Sequence, residues 1–115
     1  MEETVRMKQL KTVDDWYDVL NEAEHRPLIL FKFSATCVAS VSAYKEMNEL
    51  KSDLPIYLII VQNARDVSNA IEADLGVRHE SPQVLIMNNG RAIWQATHYK
   101  IKAKAIDQAI EQYVQ

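Results

Sequence analysis

Cysteine is nearly absent from this sequence: Cys37 is the only one in 115 residues. A lone thiol cannot close an internal disulfide, and small secreted domains more often carry paired cysteines. It also leaves no ligand set for structural zinc, which needs four donors. The three histidines, His25, His79 and His98, are scattered without ligand spacing, so no metal is expected. An excess of positive charge is missing too: the formal net charge is −3 and the pI is near 5.6. Nucleic-acid and anionic-membrane binding need a basic face, so neither is expected. The longest apolar run, "LPIYLIIV" from Leu54, is far too short to span a bilayer. The opening "MEETVRMKQLK" is charged and lacks an apolar signal core. These absences point to a cytoplasmic protein. Repeats, low-complexity segments and linkers are also lacking, and the length suits one domain over residues 1–115.

What is present reads as alternating short units. "MKQL" at Met7 suits a short edge strand. Thr12 with Asp15 three residues on forms a capping-box-like helix start, and Val13, Trp16, Tyr17 and Leu20 fall on one face. Asp14 and Asp15 suit the first turn, where the helix dipole favours acids. "PLILFKF" from Pro27 and "PIYLIIV" from Pro55 are continuous apolar runs, the pattern of strands buried on both faces. Between them "ASVSAYKEMNELK" reads as a helix, which makes a βαβ unit with a right-handed crossover. A third helix follows, with Asp66 as its expected cap and Gly76 as its end. "QVLIMNNGRAIWQAT" places Asn-Gly between two apolar runs, the signature of a tight hairpin. "AKAIDQAIEQYV" closes the series as a helix without a Ser, Thr, Asp or Asn cap. Lys100, Lys102 and Lys104 around its start read as solvated side chains, and Trp94 as core. The order predicts a mixed β-sheet, a βαβ unit plus a ββα unit, with helices on both faces. This α/β order is that of thioredoxin-like folds.

Cys37 lies where the first buried strand gives way to a helix, inside "FSATCVAS". The start of a helix leaves backbone N–H groups unpaired. A thiolate is an anion, and those donors favour it. The thiolate is also the species that attacks disulfides. Ser40, three residues on, is placed either to donate to the sulfur or to cap the helix. It cannot act as a second thiol, so redox chemistry here must be monothiol and finished by an external thiol. Ser81-Pro82 precedes the hairpin's first strand. Such a proline either opens a strand or adopts the cis form in a tight turn. In a thioredoxin-like order it faces the helix start that carries Cys37, with the Ser81 backbone available to an extended substrate.

These segments resemble a known family. "FKFSATCVASVSAYKEM" and "SPQVLIMNNGRAIWQATH", with the element order between them, are similar to the YtxJ family of monothiol bacilliredoxins. The resemblance covers residues 8 to 110. It implies a thioredoxin-like fold and a thiol–disulfide oxidoreductase that removes bacillithiol from mixed disulfides on client proteins. Cys37 matches the family nucleophile and Ser40 the closing serine of the usual Thr-Cys-Pro-Ile-Ser. Thr36, Ser40, Ser81 and Pro82 would position sulfur and substrate. Bacillithiol would serve as co-substrate, with no tightly bound cofactor. Val38 and Ala39 depart from the usual Pro-Ile. Proline suits the first helical position; valine there adds one N–H.

Two other readings stay open at this stage. Cys-Val-Ala-Ser also fits the Cys-x-x-Ser site of monothiol glutaredoxins that carry an iron–sulfur cluster. The glycine pair those proteins usually place after the proline is replaced here by "QVLIMN". Alternatively the chain is a binding module on a thioredoxin-like scaffold, with Cys37 a passive contact, because fold does not fix function.

Overall fold

The computed structural model describes residues 7–114, so the first half of the charged N-terminal segment lies outside the described residues. Five strands and four helices alternate: β1 (Met7–Gln9), α1 (Val13–Glu22), β2 (Leu28–Phe33), α2 (Val38–Asn48), β3 (Ile56–Ile60), α3 (Arg65–Leu75), β4 (Gln83–Asn88), β5 (Arg91–Thr97) and α4 (Ala103–Tyr113). A 3-10 turn at His98–Lys100, which the sequence pattern does not signal, joins β5 to α4. The strands form one sheet in the order β1-β3-β2-β4-β5. β1 and β2 run parallel to β3, while β4 runs antiparallel to both β2 and β5. This is the expected mixed sheet, an α/β thioredoxin-like fold.

The apolar runs of β2 and β4 are continuous because both faces are covered. On one face Leu28, Leu30, Leu85 and Met87 pack with Trp16 and Val19 of α1 and Val67 and Ile71 of α3. On the other, Ile29, Phe31, Val84 and Ile86 pack with Ala43 and Met47 of α2 and Ile106 and Ala109 of α4. Side chains alternate across a strand. Lys32 therefore follows Leu28 and Leu30 onto the α1/α3 face, and Gln83 joins Leu85 and Met87 there.

Local chemistry fixes the ends. Thr12 caps α1 through the Asp15 amide, and the Asp15 carboxylate accepts from the Thr12 amide, a complete capping box. Gly76 ends α3 in the left-handed region at φ 67°. The hairpin turns on Asn89 and Gly90, both at positive φ, as a two-residue primed turn requires. The Gly90 amide also donates to the Ala23 carbonyl at 2.9 Å, which ties the tip to the end of α1. One cap differs from expectation. Ala64, not Asp66, is the N-cap of α3; Asp66 sits in the first turn, where its carboxylate accepts from the Val67 amide. The uncapped start of α4 is completed from outside: the Ala103 amide donates to the Glu46 carboxylate of α2 at 2.8 Å.

Candidate active site

The parallel strands β2 and β3 end side by side, with Phe33 level with Ile60. Ligands of open α/β sheets gather outside the carboxyl ends of such strands. Here the chain leaves β2 through a tight turn. The Cys37 amide donates to the Ser34 carbonyl at 3.2 Å, and α2 begins at once. Cys37 is the N-cap of α2, extended at φ −104° and ψ 127°, and partly exposed. No side chain caps the helix. The amides of Val38 and Ala39, the first two of the helix, have no partner among the described residues. They are the donors that the end of a helix leaves over, and the residue that precedes them is the thiol.

 Ala39 itself is buried, whereas Val38 is 76% exposed.

Two side chains hold the turn. The Ser34 amide donates to the hydroxyl of Ser40 at 3.0 Å, and Ser40 is fully buried. Ser40 therefore does not cap α2. It reaches back across the first helical turn and closes the loop, and its own hydroxyl hydrogen remains to be donated. Gln62, just beyond β3, supplies the other contacts. Its amide oxygen accepts from the Ala35 amide at 3.1 Å, and its nitrogen donates to Ser34 Oγ at 2.9 Å and to Thr36 Oγ1 at 3.2 Å. Thr36 is exposed and joins the site through this bond. Gln62 was not singled out from the sequence. Its one signal is a polar residue directly after the carboxyl end of a buried strand.

Ser81-Pro82 reaches the same end of the sheet. In the β2–β4 ladder Lys32 pairs with Gln83, so the next step along both strands sets Phe33 level with Pro82. The Ser81-Pro82 peptide is cis. The Pro82 carbonyl accepts from the His98 amide at 3.0 Å, and His98 itself lies at φ 53°, where the chain leaves β5 for the 3-10 turn. His98 thus touches the site through its backbone, while its side chain is exposed. Neither backbone group of Ser81 has a partner among the described residues, and its buried Oγ has none either.

Comparisons with known proteins give the family and the fold. A family model described as monothiol bacilliredoxin BrxC matches residues 8–106. The chain belongs to the monothiol bacilliredoxin family. A solved structure of a candidate oxidoreductase with a thioredoxin fold is 32% identical, covers 91% of this chain and 94% of its own, and superposes at a TM-score of 0.82. Fasciola hepatica thioredoxin superposes at 0.74 with 13% identity, over 93% of this chain and 99% of its own. Thioredoxin O2 from Arabidopsis thaliana gives 0.76 at 17% identity, with 100% of each chain covered. The last two show the fold alone. Membership of this family supports a thiol redox function.

Proposed function

We propose that the protein removes bacillithiol from mixed disulfides on client proteins, with Cys37 as the nucleophile. One observation carries this reading. The lone thiol stands at the start of α2, at the sheet end of the cis proline, where the first two helix amides and the Ser81 backbone have no partner among the described residues. The Cys37 thiolate attacks the bacillithiol sulfur of the mixed disulfide. A bond forms between the two sulfurs as the client–bacillithiol bond breaks, and the client leaves as a thiolate that takes up a proton from water. A second bacillithiol, as its thiolate, then attacks the bacillithiol sulfur held on Cys37. This releases the Cys37 thiolate and oxidised bacillithiol. The chain holds no other cysteine, so the external thiol is obligatory. Bacillithiol is therefore a co-substrate, and the cycle asks for no bound cofactor.

Each neighbour has a role in this cycle. The first-turn amides and the Ser40 hydroxyl stabilise negative charge on the attacking and departing Cys37 sulfur. Thr36 and Gln62 fix the turn. The free Ser81 backbone pairs with the extended segment that carries the disulfide. Intact mass spectrometry tests the scheme. A bacillithiolated client mixed with the protein, without free bacillithiol, should return a reduced client and a bacillithiol adduct on Cys37. Cys37→Ala should return neither; a reduced client from that variant would sink the proposal.

A further inference from the structure

Lys32 is an interior cation that the proposed cycle does not use. It lies five residues before Cys37, on the α1/α3 face, and is fully buried. A buried charge is costly unless it is paired. No carboxylate stands within ion-pair distance of Lys32 among the described residues. Its amine instead meets His79 Nδ1 at 3.2 Å and the Ser68 carbonyl of α3 at 3.4 Å. Burial is the main cause that lowers the amine to about 8, with the Glu72 carboxylate opposing.

The ring of His79 is fixed from two sides. An ammonium only donates, so the ring hydrogen belongs on Nε2 and Nδ1 accepts. Nδ1 also meets the Ser68 hydroxyl at 2.8 Å. Burial first, then the Lys32 and Arg65 charges, push His79 down, while Glu72 and Glu80 oppose. The neutral ring, which keeps its acceptor, is thereby favoured. It stands three residues before Pro82, in a stretch that belongs to neither α3 nor β4. The rest of that stretch is held by Gln83, whose amide donates to the Arg78 carbonyl at 3.0 Å and accepts from the Glu80 amide at 3.4 Å.

An apolar side chain would fill the Lys32 position without the cost of a buried charge. What the amine adds is a grip on His79. We propose that Lys32 is a positioning residue for the thiol site: through the His79 ring it holds residues 79–82, and so keeps the Ser81 backbone set for the incoming disulfide. This rests on the reading of Cys37 as the nucleophile.

The test compares two rates on the full chain. Transfer from a bacillithiolated client needs the docking segment; alkylation of Cys37 by iodoacetamide needs only a reactive thiol. Lys32→Met should stay folded and lose about tenfold or more in transfer kcat/KM, with alkylation within about twofold of wild type, as expected when reactants are misplaced but the nucleophile is intact. Transfer at the wild-type rate would overturn the inference, while a dead Cys37→Ser control would leave the function reading standing. An active Cys37→Ser would overturn both. Should Lys32→Met fail to fold, the His79 pair decides. His79→Gln keeps an acceptor for Lys32 and should retain transfer; His79→Leu should lose it, and equal rates would count against the grip.

The ratio of transfer to alkylation cancels the ionisation of Cys37 itself and so isolates His79. Protonating the ring removes the acceptor and sets a second cation against Lys32. The wild-type ratio should therefore drop only at pH values below the ordinary histidine value of 6.5, because His79 is shifted down. In His79→Gln the ratio should stay flat. A flat wild-type ratio down to the acid limit of folding would overturn the inference.

Discussion

Lys32 and Gln83 face each other across the β2–β4 ladder, and both side chains reach the same short stretch of chain. Partners in an antiparallel ladder project to the same face of the sheet. On β2 and β4 that face is otherwise apolar, and the two polar residues come at its end, next to the thiol turn. One takes His79; the other takes the backbone on either side of it. A segment with no strand or helix of its own is thereby fastened to the sheet just before the cis peptide. The site is thus built twice over in the same manner. Gln62 fastens the thiol turn from above β3, and Lys32 with Gln83 fasten the proline turn from within the sheet.

The buried amine predicts a pH-dependent stability. Lys32 sits at about 8 in the fold against an ordinary 10.5. Between these values the unfolded chain binds more protons, so the wild type gains stability as pH rises through that window. Below the window the cost of the buried charge is fully present, at most about 3 kcal/mol. Lys32→Met has no such group, and replacing a buried charge by an apolar residue is often neutral or stabilising. Urea denaturation should show the variant's advantage at its largest below pH 8 and shrinking towards pH 10.5. A difference that is constant across this range would show that Lys32 titrates as an ordinary surface lysine.

Gln62 makes a separate prediction. It is exposed, so its removal opens no cavity, yet three bonds to Ser34, Ala35 and Thr36 go with it. Each group left behind can turn to water, so the global cost of Gln62→Ala should be small, about 1 kcal/mol or less. The local effect should be larger. Amide exchange at Ala35 should speed up, while exchange in the β2 core stays as it was. Transfer should fall with it, because the turn that aims Cys37 is loosened. Unchanged exchange at Ala35 would show that Ser40 alone holds the turn.

Much of this was legible in the sequence because the signals were local. The Thr12–Asp15 box, the Asn-Gly hairpin and the apolar runs of β2 and β3 each follow from neighbouring residues, and each forms where expected. The same local patterns put Cys37 at a helix start and Ser81-Pro82 before β4, as the fold has them. What escaped was tertiary. The cap of α4 comes from Glu46, 57 positions away. Gln62 meets the thiol turn from 26 to 28 positions away. Lys32 and His79 are 47 apart and meet only because β2 and β4 are ladder neighbours. Asp66 misled for a related reason: acids suit both the cap and the first turn, and spacing alone does not separate them.

The departure at Val38 gives the last prediction. Val38 opens α2, its amide has no partner among the described residues, and its side chain is largely exposed. A proline there gives up no hydrogen bond and crowds nothing buried. The residue before a proline must be extended, and Cys37 already is, at φ −104° and ψ 127°. Restoring the family's proline should therefore stabilise the fold by about 0.4–1 kcal/mol, chiefly by restricting the unfolded chain. It also takes away one of the two unpaired amides next to the sulfur. If those amides stabilise the thiolate, Val38→Pro should melt higher and yet alkylate more slowly at pH 7. A higher melting temperature with an unchanged alkylation rate would assign the stabilisation of the thiolate to Ala39 and Ser40 instead, and would make the valine a residue tolerated at the helix start rather than one that serves the thiol.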